Sequence, residues 1–371
     1  MTTEFKDIVC FLQPTGDSAF VTRHLVAHLG NRHIMFEHPL YDENENGYTV
    51  HESHTTIVVR LFMQGPKSEK STIALRGMVS EVFFNLNVDN YLIWYNDPSA
   101  LDWTQHLFPT TTVFHCTDLL SNYQSDNVVC DLIAHVDAIV TSGYSAYETL
   151  RGVHDNVFNV YMPLDLDHFY EARFYKKDPI DQILISHPRI GYFGPLDERF
   201  DWALLTALAT TRPHWQFILL GESPHDLQAT QFSNIHFLGE KDYRLLPDYI
   251  SGWDVGLVPF HQEVARFSNP NQCQQFIAAG KPVVCTSIPD VIRSFGGRQL
   301  IHIAGTAADI ISKIQEELKT RDRSEWHLNV LERLREKKID SGLQQFLGYL
   351  SSARIASTPT EITEPALQRM G

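Results

Sequence analysis

The sequence is poor in cysteine and contains no long apolar run. Its five cysteines are widely spaced, odd in number and without a CxxC pair. This argues against a disulfide framework and predicts reduced thiols in a cytoplasmic protein. No apolar stretch approaches the ~20 residues that cross a bilayer. The first residues, MTTEFKDIVCF, predict an opening β-strand rather than a signal peptide. Membrane association of this chain is therefore expected to be peripheral at most.

Positive charge is also scarce, with 30 lysines and arginines against 45 acidic residues and a net charge of −15. Such a surface repels phosphate backbones and anionic lipids. The densest basic group, RLREKK at 333–338, is predicted to be the solvated face of a surface helix. Nucleic acid is therefore not an expected partner. The proportions of 43% hydrophobic and 20% charged residues are typical of a globular chain.

Short apolar runs alternate along the chain with longer amphipathic ones, which is the pattern of parallel sheets covered by helices. In the first half, strands are predicted at 7–12, 33–37, 56–62, 91–95, 112–114, 138–141 and 157–160, and helices at 19–29, 71–85 and 145–151. In the second half, strands are predicted at 189–193, 216–220, 235–238, 255–259, 282–285 and 300–303, and helices at 202–210, 247–251, 272–279, 307–318 and 324–350. Two such halves enclose a cleft where ligands bind.

The same pattern divides the chain. Residues 1–168 are predicted to be one Rossmann-like domain, 169–188 a connection and 189–323 a second Rossmann-like domain. Residues 324–355 are predicted to be C-terminal helices, with the option of packing back on the first domain, and 356–371 to be a loose tail.

Signals for a metal site are weak, although the chain has 18 histidines. His24 and His28 have helical spacing, but the glutamate of an HExxH zinc site is absent. Asp165 and Asp167 form a DxD sequence at the domain connection, where a solvated or capping role is favoured. No metal is therefore predicted.

Residues 190–291 carry most of the chemistry. In IGYFGPLDERFD, a strand ends at Gly194 and a polar loop leads to a helix. A glycine at such a turn lets the backbone approach a phosphate, and Arg199 offers paired donors to a diphosphate. Two more strand–glycine turns follow in QFILLGESP and NIHFLGEKDY, and SNPNQCQQFIAAGKPVV opens a helix that ends at Gly280. The structural alternative is an ordinary strand-to-helix turn with a surface arginine.

With GWDVGLVPF, SNP and FIAAGKPVV in succession, this stretch resembles the C-terminal domain of GT-B-fold retaining glycosyltransferases, glycosyltransferase family 4 (group 1). The first half resembles the family more loosely, through TVFHCTD at 112–118, VDAIVTSGYSAYETL at 136–150 and YMPLDLDHF at 161–169. The resemblance implies an α/β GT-B fold of two Rossmann-like domains facing each other across a cleft. It also implies metal-independent, retaining, hexosyltransferase-like transfer from a nucleotide diphosphate sugar, UDP- or GDP-linked, to a glycan, lipid-linked or small-molecule acceptor.

The resemblance further assigns roles to residues of this chain. The residues expected to contact the donor's diphosphate, sugar, ribose or base are Gly16, Gly194, Arg199, Gly239, Lys241, Ser268, Asn269, Gln272 and Gln275. The catalytic residues implied are His115, Asp118 and Arg199. His115 would contact the sugar or the reacting centre, and Asp118 would orient it or the acceptor. A purely local role in loop hydrogen bonding is an equally open interpretation of both.

The chain departs from the family pattern at three positions. Gln272 and Gln275 stand where a lysine and a glutamate are usual, and Pro195 stands where the phosphate loop usually has a basic residue. A glutamine offers a ribose hydroxyl one acceptor oxygen instead of a carboxylate, which costs about 1–3 kcal/mol of donor affinity. Two other interpretations therefore stay open. One is a catalytically degenerate GT-B protein that binds a nucleotide, a glycan or a partner, and the other is a phage-type DNA-base glycosyltransferase, which the charge disfavours.

Overall fold

The computed structural model describes residues 5–12, 25–26, 29–119, 123–160, 164–174, 178–222, 232–296, 301–320 and 341–357. Within them, each half of the chain forms one largely parallel sheet, and a two-stranded ribbon joins the halves. The α/β class predicted from the alternating pattern is confirmed. Across the described residues, we find no helix that is both long enough and apolar enough to cross a membrane.

The first sheet has nine strands. The strands of this half are β1 (Phe5–Phe11), β2 (Gly30–Phe36), β3 (Leu40–Glu43), β4 (Gly47–Ser53), β5 (Thr56–Gln64), β6 (Tyr91–Tyr95), β7 (Thr111–Cys116), β8 (Asp118–Leu119), β9 (Ala138–Thr141) and β10 (Val157–Asn159). Their order in the sheet is β10-β9-β7-β6-β1-β2-β5-β3, with β4 antiparallel to β5 and β8 outside the sheet.

The second sheet has six strands, all parallel. The strands of this half are β11 (Arg189–Phe193), β12 (Gln216–Leu220), β13 (Ile235–Gly239), β14 (Val255–Val258), β15 (Phe267–Ser268), β16 (Val283–Thr286) and β17 (His302–Ala304). The sheet order is β13-β12-β11-β14-β16-β17. The remaining strand, β15, pairs antiparallel with β8 of the first half and so forms the ribbon.

Helices cover both sheets. They are α1 (Glu69–Asn85), α2 (Leu101–Thr104), α3 (Asn127–His135), α4 (Tyr144–Leu150), α5 (Leu166–Tyr170), α6 (Trp202–Thr211), α7 (Leu246–Ser251), α8 (Gln272–Ala278), α9 (Pro289–Phe295), α10 (Ala307–Lys319) and α11 (Ser341–Ser357). Side-chain caps define several starts, such as Ser68 for α1 and Asp126 for α3. In contrast, α4 begins after Gly143, which has no side chain to cap it.

The core follows the pleat of the strands. In β1, Val9 and Phe11 belong to one buried cluster and Ile8 and Cys10 to another, because successive side chains point to opposite faces. The second cluster includes residues of α11. Its Phe346 is 1% exposed and lies edge-on to Trp94, with ring centroids 5.8 Å apart. The last described helix therefore packs on the first sheet.

Two predicted helices are described only in part. Of the helix predicted at 19–29, only residues 25, 26 and 29 lie within the described ranges, and of the helix predicted at 324–350 the part before 341 lies outside them. Helix α11 ends at Ser357, slightly beyond the start of the predicted tail.

Candidate active site

The candidate site lies where the carboxyl ends of the two sheets meet. In the first sheet, Asn96 directly follows β6 and His115 lies near the end of β7. In the second sheet, Gly194 follows β11 and Gly221 follows β12. The ribbon, which pairs Leu119 of β8 with residue 267 of β15, holds these two edges together. Carboxyl ends of parallel strands are where α/β sheets bind ligands.

His115 is buried, with 1% of its surface exposed. Its Nδ1 lies 3.1 Å from Asn96 Nδ2, and its Nε2 lies 3.0 Å from Ser142 Oγ. Because an amide nitrogen can only donate, Nδ1 accepts from Asn96 and the Nε2–H donates to Ser142. Burial lowers the pKa of His115 to about 3. The ring is therefore neutral near pH 7, and it is suited to neutral hydrogen bonding rather than to proton transfer.

The lowered pKa of His115 predicts a specific dependence of stability on pH. Below the ordinary histidine pKa of about 6.5 the unfolded chain binds a proton at this position and the folded chain does not. The free energy of unfolding should therefore fall as pH falls from about 6.5 towards 3, by up to about 1.4 kcal/mol per pH unit from this group. We expect His115→Gln to lose that pH-dependent component. The free energy of unfolding, measured in urea at pH 7 and at pH 4.5, should therefore fall less for His115→Gln than for the wild type.

A matched control for this prediction is His214→Gln, which removes an exposed histidine. The free energy of unfolding of wild type minus that of His115→Gln should change with pH, and by more than the same difference for His214→Gln. If it does not, the interpretation of His115 as a buried neutral imidazole is wrong.

The loop and helix after β9 join the two domains. The backbone oxygen of Ser142 accepts a hydrogen bond of 2.7 Å from Asn269 Nδ2 in the second domain. The Asp290 carboxylate accepts from Ser145 N at 3.0 Å and from Ser145 Oγ at 2.8 Å. Asp290 thus caps α4, the helix that starts after Gly143 and lacks a cap of its own. Burial raises the pKa of Asp290, although its hydrogen bonds to Ser145 act against this.

Two glycine turns meet at the ends of β11 and β12. Gly194 has φ +132° and Gly221 has φ +152°, values that side chains rarely adopt. A Cβ on Gly221 would lie 1.9 Å from the Gly194 carbonyl oxygen, and a Cβ on Gly194 would lie 2.5 Å from Gln272 Nε2. The Gly194 N–H already donates to Leu220 O at 2.9 Å. Gly194 is therefore required by close packing, and it brings α8 to the end of β11.

Arg199 lies in the loop after Gly194, and Asp197 fixes its position. Its backbone N and its Nε donate to Asp197 Oδ1 at 3.0 Å each, and its Nη2 donates to Asp197 Oδ2 at 2.5 Å. The guanidinium carbon lies 5.8 Å from the centre of the Phe260 ring, and the residue is 9% exposed. Arg199 is thus a buried, oriented cation, with Asp197 on the Nε–Nη2 edge of the guanidinium.

The start of α8 and the segment before it contribute four predicted donor-side residues. Gln272 and Gln275 are both buried on α8, at 7% and 2% exposure, and Gln272 faces Gly194 as described above. Asn269 is engaged with Ser142 across the domain interface. Ser268 is completely buried in β15, and its Oγ has no hydrogen-bond partner among the described residues.

The other predicted residues are placed differently. Lys241, after β13, forms an ion pair of 2.8 Å with Asp181 and lies 5.5 Å from the Tyr249 ring centre. Gly239 accepts a hydrogen bond from Gly221 N through its carbonyl. Asp118 is described through its backbone only, in the ribbon. Gly16 lies outside the described residues. Within the described ranges, no cluster of three or more histidine, cysteine or acidic side chains is placed to hold a metal.

A cavity of about 470 Å³ opens beside His115. Its wall is formed by the ends of β6 and β7, by the start of α3 and by Glu198 of the second domain. Asp97, in this wall, accepts from Ser99 N at 2.9 Å and lies 2.6 Å from His38 Nδ1. Burial acts to raise the pKa of Asp97, but the hydrogen bonds from His38 and Ser99 outweigh it and lower the pKa. Asp97 is therefore ionised at neutral pH.

Three residues of this region were not predicted: Ser142, Asp290 and Glu198. The segment SGYS at 142–145 did carry a signal, since a glycine before a helix without a capping side chain needs an acceptor from elsewhere. Its partner Asp290 is 145 residues distant from Ser145, and nothing local in the sequence indicates that pairing.

Comparison with known proteins finds a family match in the second half of the chain. Residues 187–320 match the family model described as glycosyl transferases group 1. A curated relative, the putative teichuronic acid biosynthesis glycosyltransferase TuaH of Bacillus subtilis, is 22% identical over an alignment of 240 residues, and the match covers 55% of this chain and 57% of that protein. The matched region therefore spans little more than half of that relative's length.

Solved structures with the same fold cover nearly the whole chain. Sucrose-phosphate synthase from Thermosynechococcus elongatus has a TM-score of 0.70 and 16% identity, over 95% of this chain and all of that one. Anabaena HepE in complex with UDP and glucose has a TM-score of 0.66 and 17% identity, over 93% and 99%. The chain therefore has the GT-B fold, two α/β halves whose sheet edges face each other. Residues 187–320, in the second half of the chain, are similar to the group 1 glycosyl transferases.

Proposed function

We propose that this chain transfers a sugar from a nucleotide diphosphate sugar to an acceptor held by its first domain. The observation that carries the proposal is the loop of residues 197–199, which serves both sides of the cleft. Arg199 lies in the matched group 1 domain as an oriented cation, and its neighbour Glu198 lines the cavity beside His115. Donor and acceptor would therefore meet at one loop.

The chemistry agrees with these residue types. Transfer leaves negative charge on the departing diphosphate, and a preorganised cation in a site of restricted water access stabilises that charge. Arg199 supplies it, and the Gln272 amide near Gly194 supplies a neutral donor. His115, neutral and hydrogen-bonded at both nitrogens, orients the acceptor-side wall through Asn96 and Ser142. We infer no metal in this step, because the charge is met by protein groups.

The nucleotide and the stereochemistry are finer parts of the proposal. HepE is known in complex with UDP and glucose, which supports a UDP-linked hexose as donor, whereas the GDP-linked alternative rests on the family resemblance. Retention rests on the family resemblance alone. We further propose a cytoplasmic location, since the five cysteines are all free thiols. The acceptor is proposed to be a glycan, lipid-linked or small-molecule hydroxyl compound.

Nucleotide binding tests the proposal directly. UDP, GDP, ADP and dTDP are added to the protein, and the free energy of unfolding is measured with and without each. At a concentration one hundred times Kd, the correct nucleotide should stabilise the fold by about 2.7 kcal/mol. The matching nucleosides without phosphate serve as controls and should stabilise much less, because Arg199 would have no phosphate to contact. Absence of stabilisation by all four nucleotides would contradict the proposal.

A catalytically degenerate binding protein is the second candidate, because Gln272 and Gln275 replace charged residues of the family pattern. It predicts nucleotide binding without release of nucleotide from any nucleotide sugar, whereas an enzyme also shows slow donor hydrolysis. A DNA-base glycosyltransferase is disfavoured by the net charge of −15.

A further inference from the structure

The cavity beside His115 contains carboxylates from both domains. Asp97 and Asp126 belong to the first domain and Glu198 belongs to the second. None of the residues that line the cavity, all within the described ranges, is a lysine or an arginine. Its other polar side chains are neutral hydroxyls, one amide and one thiol, together with the uncharged imidazole of His115. The cavity is therefore negatively charged.

The two carboxylates of the first domain are held in place. Asp126 Oδ1 accepts from the N–H groups of Val128 and Val129, at 3.0 and 3.3 Å, and so caps α3. Asp97 accepts a hydrogen bond from Ser99 N at 2.9 Å, and its Oδ2 lies 2.6 Å from His38 Nδ1. Within the described residues, neither carboxylate has an arginine or lysine partner, and Asp97 is paired with His38. Asp126 and Glu198 therefore give the wall most of its negative potential.

Glu198 completes this wall from the other side of the cleft. It is exposed, and it makes no side-chain hydrogen bond or ion pair with a described residue. Its neighbour Arg199 is held by Asp197 and is assigned to the donor diphosphate. The loop therefore presents the Arg199 cation to the donor side and the Glu198 carboxylate to the cavity. An anionic ligand is favoured at the first position and a ligand without negative charge at the second.

We propose that this cavity is the acceptor subsite and that it selects sugar units without negative charge, either neutral or bearing a protonated amine. The inference rests on the proposed function, because it takes the second domain as the donor side. Sugar hydroxyls donate well to carboxylates, and the rings of Phe114 and Tyr123 in the wall offer apolar contact to a sugar face. A phosphate or carboxylate on the acceptor would instead be repelled by up to three charges within one small cavity.

The test is to measure the binding of sugars to the protein in the absence of donor, with saturation-transfer NMR as the method. The probes are methyl glucoside, glucosamine, glucose 6-phosphate and glucuronate, with the corresponding galactose and mannose compounds. We expect Kd for the neutral and amino sugars to be at least about tenfold lower than for the phosphates and uronates. Raising the salt concentration from 0.05 to 0.5 M should narrow that ratio, because exposed charges such as Glu198 are screened.

Two variants with the same change in net charge separate local from general electrostatics. Glu198→Lys should reduce the preference against glucose 6-phosphate at least about tenfold, with little change in Tm, since the Glu198 side chain has no partner among the described residues. Glu45→Lys alters an exposed residue between β3 and β4 and should leave the preference unchanged. Equal effects of both variants would overturn the inference. So would wild-type protein that binds sugar phosphates as tightly as neutral sugars, or that binds none of the probes.

Nucleotide binding is measured in the same preparation and distinguishes the two proposals. A protein that binds a nucleotide but prefers sugar phosphates overturns the acceptor inference alone. A protein that binds no nucleotide overturns the proposed function, whatever sugars it binds.

Discussion

Replacing Arg199 with alanine should slow release of nucleotide from the donor by about 100- to 1,000-fold while leaving the fold intact. The expected size is that of losing one preorganised donor to a developing oxyanion, about 2.7–4 kcal/mol. The fold should persist because the Arg199–Asp197 pair is local, but Tm should fall because the side chain of Arg199 is only 11% exposed and lies against Phe260. Arg199→Lys should recover only part of the rate, since an ammonium cannot hold Asp197 and a phosphate in the same planar geometry.

The chain offers a matched control in Arg244. Arg244 is bound to Asp242 by the same three contacts, from its backbone N and from its Nε and Nη2, but its side chain is 85% exposed. Arg244→Ala therefore removes an equivalent pair from the surface and should leave the rate within a few-fold of wild type. The assignment of Arg199 fails if both variants have the same activity, provided circular dichroism shows that both are folded.

The second large effect is expected for Gly221→Ala. The added Cβ would lie 1.9 Å from the Gly194 carbonyl oxygen, and the backbone would keep a φ of +152°. Backbone strain of about 1–3 kcal/mol and overpacking of about 1–3 kcal/mol add to a loss of roughly 3 kcal/mol or more. Because the clash is with the turn that precedes Arg199, nucleotide binding should weaken as well. Urea unfolding measures the first effect and nucleotide-induced stabilisation the second.

Gly65→Ala separates conformational strain from the clash. Gly65 also has a positive φ, +72°, but no atom lies within 4 Å of the position of its Cβ. This variant should cost only about 1–2 kcal/mol and leave nucleotide binding unchanged. If Gly221→Ala is no more destabilising than Gly65→Ala, the two glycine turns do not pack as described.

Most of the fold could be predicted from the sequence because its strands are buried on both faces. In the second half, each predicted strand appears with its ends shifted by no more than two residues, since parallel strands such as β11 and β14 consist of short apolar runs between turns. The strands β3 and β4 were not predicted. Most residues of β4 are exposed, so the strand is held by backbone pairing with β5 and leaves no apolar pattern.

The candidate site could be predicted only where its residues lie in a recognisable local pattern. The turn at Gly194 and the loop to Arg199 belong to one continuous sequence motif. The structure assigns Gly194 a packing role, which its sequence context does not reveal. Contacts such as Asp290 with Ser145 depend on how two domains meet, and distances of that kind are not encoded in spacing. His115 was singled out by its strand-end position, but its depressed pKa follows from burial that only the fold shows.

Ser142 occupies a position between the two halves of the cleft. Its carbonyl oxygen accepts a hydrogen bond from Asn269 Nδ2 of the second domain, and its hydroxyl oxygen accepts one from His115 Nε2 of the first domain. In the proposed enzyme, a donor that draws Asn269 towards its phosphate or sugar releases the backbone of the residue whose hydroxyl is hydrogen-bonded to His115. Linkage requires such an effect to be reciprocal. If the proposed donor and acceptor sites are coupled through Ser142, each ligand should change the Kd of the other by the same factor.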